Sequence, residues 1–87
     1  MIMVTEEYYL NLEKTMARKS VKTLVNAFNK QVGKRAWTSL RGLHDSVLID
    51  TLIAKGVDVS AVYDGAFISF DKHVVLNEDL NKLYVVK

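Results

Sequence analysis

"VSAVYDGAFISF", residues 59–70, is where the chain changes its period from helical to two. Asp64-Gly65 stands at its middle, the residue pair that a two-residue type I′ hairpin turn prefers because both central positions need positive φ. With that turn, Tyr63 faces Ala66, Ala61 faces Ile68 and Val59 faces Phe70, so one face of the hairpin is wholly apolar. The other face carries Asp58, Ser60, Ser69 and Asp71 around a single Val62–Phe67 pair. Alternation and turn chemistry together predict strands on both sides of the turn.

Downstream, "HVVL" and "KLYVVK" read as two further short strands around the polar turn "NEDLN". Upstream, the apolar spacing is helical. Val21, Leu24, Val25, Phe28 and Val32 form one apolar face, with Ser20 as N-cap and Gly33 as the residue that ends the helix, predicting a helix over 21–32. A helix over 5–18 follows from Thr5 as cap, Glu6 and Glu7 at its positive end, and the stripe Tyr9, Leu12, Met16. Residues 1–4, "MIMV", leave a short edge strand and a disordered start equally open.

A third helix spans about 39–55, capped by Thr38 or Ser39 and stopped by Gly56. Leu40, Val47, Leu48, Leu52 and Ala54 form a broad apolar arc, while Ile49 and Ile53 point almost the opposite way. A helix apolar on more than one side is central, packed on two layers or on another subunit. The expected fold is therefore α+β: about three helices, then a C-terminal antiparallel β-meander, with the helices on one face of the sheet.

The chain has 87 residues, 49% of them hydrophobic and 25% charged, which bounds it to a single small globular domain over 1–87. It has no cysteine, so disulfides, thiolate metal sites and a cysteine nucleophile are excluded. That composition fits a reducing interior. "VLIDTLIA" is far short of the roughly 20 residues that a bilayer-spanning helix needs, and it contains Asp50. Thr5, Glu6 and Glu7 follow "MIMV" at once, leaving no basic n-region or sufficient h-region of a signal peptide. We expect a soluble, cytoplasmic protein with no membrane contact.

The +2 net charge is unevenly spread. Residues 1–44 hold eight Lys/Arg against three Glu, a net of +5, and residues 45–87 hold four Lys against seven Asp/Glu, a net of −3. The basic half contains "KQVGKRAWTSLRG", residues 30–42, with Lys30, Lys34, Arg35 and Arg41 around the single tryptophan, Trp37. Together with Lys22, those cations suit phosphates or an acidic partner, and Trp37 suits base stacking. The segment is equally a helix–helix connector whose tryptophan lies in the core.

No motif of catalysis survives inspection. His44-Asp45 lacks the further ligands of a metal centre, His44 falls on the apolar arc, and Asp45 has an exposed ion-pair partner in Arg41 one turn earlier. No nucleophile elbow, phosphate loop or calcium loop occurs. We expect no catalytic residue, metal, cofactor or small-molecule ligand; a small enzyme with a site near His44 is the weakest alternative.

Helices followed by a hairpin resemble winged helix-turn-helix proteins in layout, not in motif. In that layout the helix before the hairpin enters the major groove. Here it carries Leu48, Ile49, Leu52 and Ile53 beside Asp45 and Asp50, so such docking is disfavoured. The hydrophobic surplus at Ile49, Ile53, Val62 and Phe67 instead predicts a surface for a protein partner or a homo-oligomer. A non-enzymatic interaction protein is the first expectation, and a nucleic-acid-binding regulator using the basic 22–41 surface is the second.

Overall fold

The computed structural model describes residues 6–33 and 39–86. Three helices, α1 (Glu6–Ala17), α2 (Val21–Gln31) and α3 (Ser39–Ala54), precede two strands, β1 (Val74–Leu76) and β2 (Leu83–Val85). The α+β order expected from the sequence is present, and each helix lies within a residue of its expected span. The expected caps Thr5 and Thr38 and residues 1–4 lie outside the described residues.

Local chemistry sets these boundaries. The Ser20 hydroxyl accepts from the Thr23 N–H at 3.1 Å, satisfying one orphan donor of α2. At the end of α3 the Gly56 N–H donates to Ile53 O at 2.9 Å and the Val57 N–H to Leu52 O at 3.0 Å. That paired pattern needs a left-handed residue at the turn, and Gly56 has φ +85°. Lys55 then donates its Nζ to Ala17 O at 2.9 Å, giving a last-turn carbonyl of α1 a partner.

α3 packs against both α1 and α2, and α2 also packs on β1. This two-sided packing is what the apolar breadth of α3 predicted. It corrects the expectation that Ile49 is displayed: Ile49 is 1% exposed and joins Leu24, Phe28, Leu48 and Leu52 in the core. With α1 and α2 both against α3, a residue opposite the first apolar arc is still covered.

β1 and β2 pair antiparallel, Val75 opposite Tyr84 and Val74 opposite Val85. Period two sends Val74 and Leu83 inward and Val75 and Tyr84 outward. The free edge of β1 is closed by a side chain: Asn29 of α2 donates Nδ2–H to Val74 O at 2.9 Å and accepts the Val74 N–H on Oδ1 at 2.8 Å. Its amide thus stands where another strand would pair. Asn29→Ala should cost about 1–3 kcal/mol, since a buried N–H and C=O lose their partners. Urea unfolding checks the cost, and faster exchange of the Val74 amide proton checks its origin.

The 57–71 segment differs from the expected pair of strands. Asp58 Oδ1 accepts the Ser60 N–H at 2.9 Å, and the Val62 and Tyr63 N–H groups both reach Val59 O at 3.0 Å. A single helical turn replaces the first strand, so Val59 and Val62 bury at i, i+3. The chain still reverses at Asp64-Gly65, but Tyr63 bridges Ile68 and the Ser69 N–H donates to Val62 O at 2.7 Å. Val62 therefore lies opposite Ser69 and not Phe67, and it belongs to the core instead of an outer patch. Asp58 does pair with the sheet, its N–H donating to Asn81 O at 2.7 Å and its C=O accepting from Leu83 N–H at 3.0 Å.

Candidate partner-binding surface

The reversal at 64–67 is held by its own side chains. Asp64 Oδ1 accepts the N–H groups of Ala66 and Phe67, both at 2.8 Å, and the Tyr63 hydroxyl donates to Gly65 O at 3.0 Å. A carboxylate competing for two backbone donors widens a two-residue turn to four residues. Gly65, at φ +99°, supplies the one backbone conformation that a side chain would resist.

Phe67 sits at the tip and is 78% exposed, the most displayed large apolar side chain among the described residues. It borders a hollow of about 290 Å³ with Tyr63, Ala66, Ile68 and, from α3, Gly42 and Ser46. Ile53, 47% exposed, lies seven residues beyond Ser46, hence about 10 Å further along the same helix face. Of the four apolar residues expected at an interface, Phe67 and Ile53 are on the surface, while Ile49 and Val62 are inside.

The N–H donors of Phe67 and then Ala66 hold the Asp64 carboxyl below its ordinary value of 3.8. A depressed folded value means that this carboxylate supports the loop above pH 3.8 and that the support is lost as pH falls through the lower folded value. In an acid titration followed by NMR, the Ala66 and Phe67 amide signals should hold to about pH 4 and move together below it.

The basic set is divided. Lys22 and Lys30 are exposed on α2. Arg41 is not a surface cation: its side chain is 13% exposed, its Nη2 donates to Gln31 O at 3.1 Å, and its Nε lies 3.7 Å from Asp45 Oδ2. At that distance the Arg41–Asp45 contact is one of charge. Asp45 is completely buried, which corrects the expectation of an exposed ion pair. Its other oxygen, Oδ1, lies 3.3 Å from His44 Nδ1, which favours the tautomer protonated on Nδ1. His44 thus supports a buried carboxylate. Lys34, Arg35 and Trp37 lie outside the described residues.

A second apolar surface was missed by sequence reasoning. Val75, Tyr84 and Val86 lie on the outer face of the ribbon, half-exposed, with Lys82 Nζ 5.3 Å from the centre of the Tyr84 ring. The signal was available: "LYVV" is apolar at every position, so a two-period strand must turn part of it outward.

Among the described residues no group of three His, Cys, Asp or Glu is placed to hold a metal ion, and no helix is long and apolar enough to cross a membrane. The fold and its displayed apolar loop define an α+β chain with a built surface feature. No family model matches the sequence, and no curated protein or solved structure matches it either.

Proposed function

We propose that this chain is a non-enzymatic interaction protein that binds another protein by seating Phe67 in an apolar pocket of that partner. One observation carries the reading: Phe67 is 78% exposed on a loop that three side-chain-to-backbone hydrogen bonds already hold in shape. Burying a phenyl ring releases about 1.5–3 kcal/mol, and a loop ordered beforehand loses little conformational freedom on binding. Aromatic anchors of this kind dominate many interfaces, at about 2 kcal/mol or more each.

The test compares immobilised wild-type chain with Phe67→Ser and with the double charge reversal Lys22→Glu/Lys30→Glu. Proteins retained by the wild type and by the charge-reversed chain, but at least about 30-fold depleted on Phe67→Ser, are the expected result. Retention that follows Lys22 and Lys30, declines steeply with salt and ignores Phe67 would reject this reading in favour of nucleic-acid binding.

A further inference from the structure

We propose that Phe67 is a latch as well as an anchor: its ring turns between the displayed position and the hollow beside it, and when closed it is withheld from a partner. The withholding rests on the reading above; the turning of the ring does not. The walls identify the occupant. Phe67 itself borders this hollow of about 290 Å³, with Tyr63, Ala66 and Ile68 of the loop and Gly42 and Ser46 of α3. A cavity of about 150 Å³ is enough for a benzene molecule, so a phenyl ring has room there. The α3 wall is low because Gly42 has no side chain and Ser46 a short one, at i and i+4 on one helix face.

The backbone need not move for the ring to close. Asp64 Oδ1 holds the Ala66 and Phe67 N–H groups, both at 2.8 Å, whichever way the side chain points. Both positions therefore share one loop conformation and differ by rotation about the side-chain bonds, from one staggered well to another. Tyr63 stays a wall and is not a second occupant, because its hydroxyl donates to Gly65 O at 3.0 Å and ties its ring to the loop.

Two effects favour closing. The displayed ring, 78% exposed, leaves most of its apolar surface in water, and contact with Ile68 and Tyr63 removes part of it. The ring is also tethered at the mouth of the hollow, so it competes at the high effective concentration of an intramolecular ligand. A partner that needs the displayed ring then meets only the open fraction of the molecules, and its apparent affinity falls by that fraction. The loop thus limits how readily its own anchor is taken.

Hydroxyl-radical labelling read by mass spectrometry measures the exposure of each phenylalanine ring, with the fully buried Phe28 as the internal control for folding. In the wild type, Phe67 should react at about a third or less of its rate in a synthetic peptide of residues 62–72. A ring that stays 78% exposed would react at nearly the peptide rate and overturn the latch. Ser46→Leu and, separately, Gly42→Leu fill the hollow from α3 with a residue that suits a helix interior. Each should raise the Phe67 rate about threefold while Phe28 stays unreactive, and proteins captured through Phe67 should be held about threefold more tightly. A Phe67 rate unchanged in both variants would overturn the latch. Capture that depends on Phe67 but ignores both substitutions would overturn the withholding. If no protein is captured through Phe67, the anchor alone is rejected, because the labelling rates decide the latch without any partner.

Discussion

Replacing Arg41 with Met should lower the unfolding free energy by about 3–5 kcal/mol. The variant leaves the Asp45 carboxylate, 0% exposed, without the guanidinium 3.7 Å away and with His44 as its remaining neighbour at 3.3 Å. Stranding a buried charge costs far more than the pair is worth against apolar residues of similar size. The same change takes from Gln31 O the donor that ties the end of α2 to the start of α3. A domain this small holds only about 3–5 kcal/mol of net stability, so the variant should be largely unfolded at room temperature. The double variant Arg41→Met/Asp45→Leu separates the causes. Removing both charges should restore most of the stability, short of the wild type by the cost of the Gln31 carbonyl, about 1–3 kcal/mol. Urea melts of the three proteins decide it. Near-wild-type stability of Arg41→Met would mean that water reaches Asp45, contrary to its burial.

The second large effect is expected at Phe28. Its ring is completely buried and stacks on Phe70, centroids 4.7 Å apart and planes 26° from parallel. Phe28→Ala should cost about 3–5 kcal/mol from lost transfer energy and the cavity left behind. The ring pair itself accounts for about 0.5–1.5 kcal/mol, which a double-mutant cycle of the milder Phe28→Leu and Phe70→Leu should recover as coupling. On the proposed function, this contact also bears on binding. Phe70 anchors the chain that returns from Phe67, and its carbonyl accepts the Gly33 N–H at 3.1 Å at the end of α2. The milder Phe28→Leu, still folded, should therefore weaken Phe67-dependent binding without touching the displayed ring. Unchanged binding in that variant would show the loop to be independent of the core beneath it.

These two sites mark how far the sequence could be read. α2 was legible because its evidence is local: the Ser20 hydroxyl, the apolar face and the following glycine lie within one short stretch. The end of α3 at Gly56 and the strands around "NEDLN" were legible for the same reason. Phe67 was correctly placed outside, although its expected partner across the hairpin, Val62, went to the core. The difference arises at Asp58 and Asp64. Each competes for backbone N–H groups two or three residues ahead, and that competition turns a strand into a helical turn and a two-residue turn into four.

The arc of α3 shows the same division. Its apolar residues determined by themselves that the helix is central, because an exposed helix cannot carry Leu, Ile and Val on two sides. Which of them lie inside depended on α1 and α2 both packing against it. Ile49 is buried and Ile53 is not, although they sit one turn apart on one face. Asp45 belongs to this class too. Next to Arg41 at i+4 it has the spacing of an ordinary surface pair, and nothing within five residues distinguishes the two cases. Sequence alone determined the three helices, the strands around "NEDLN" and their order, since caps, periods and glycines act over a single turn, but not the course of 57–71. Only the tertiary structure decided what each element conceals, because burial is a property of the neighbours that distant segments bring together.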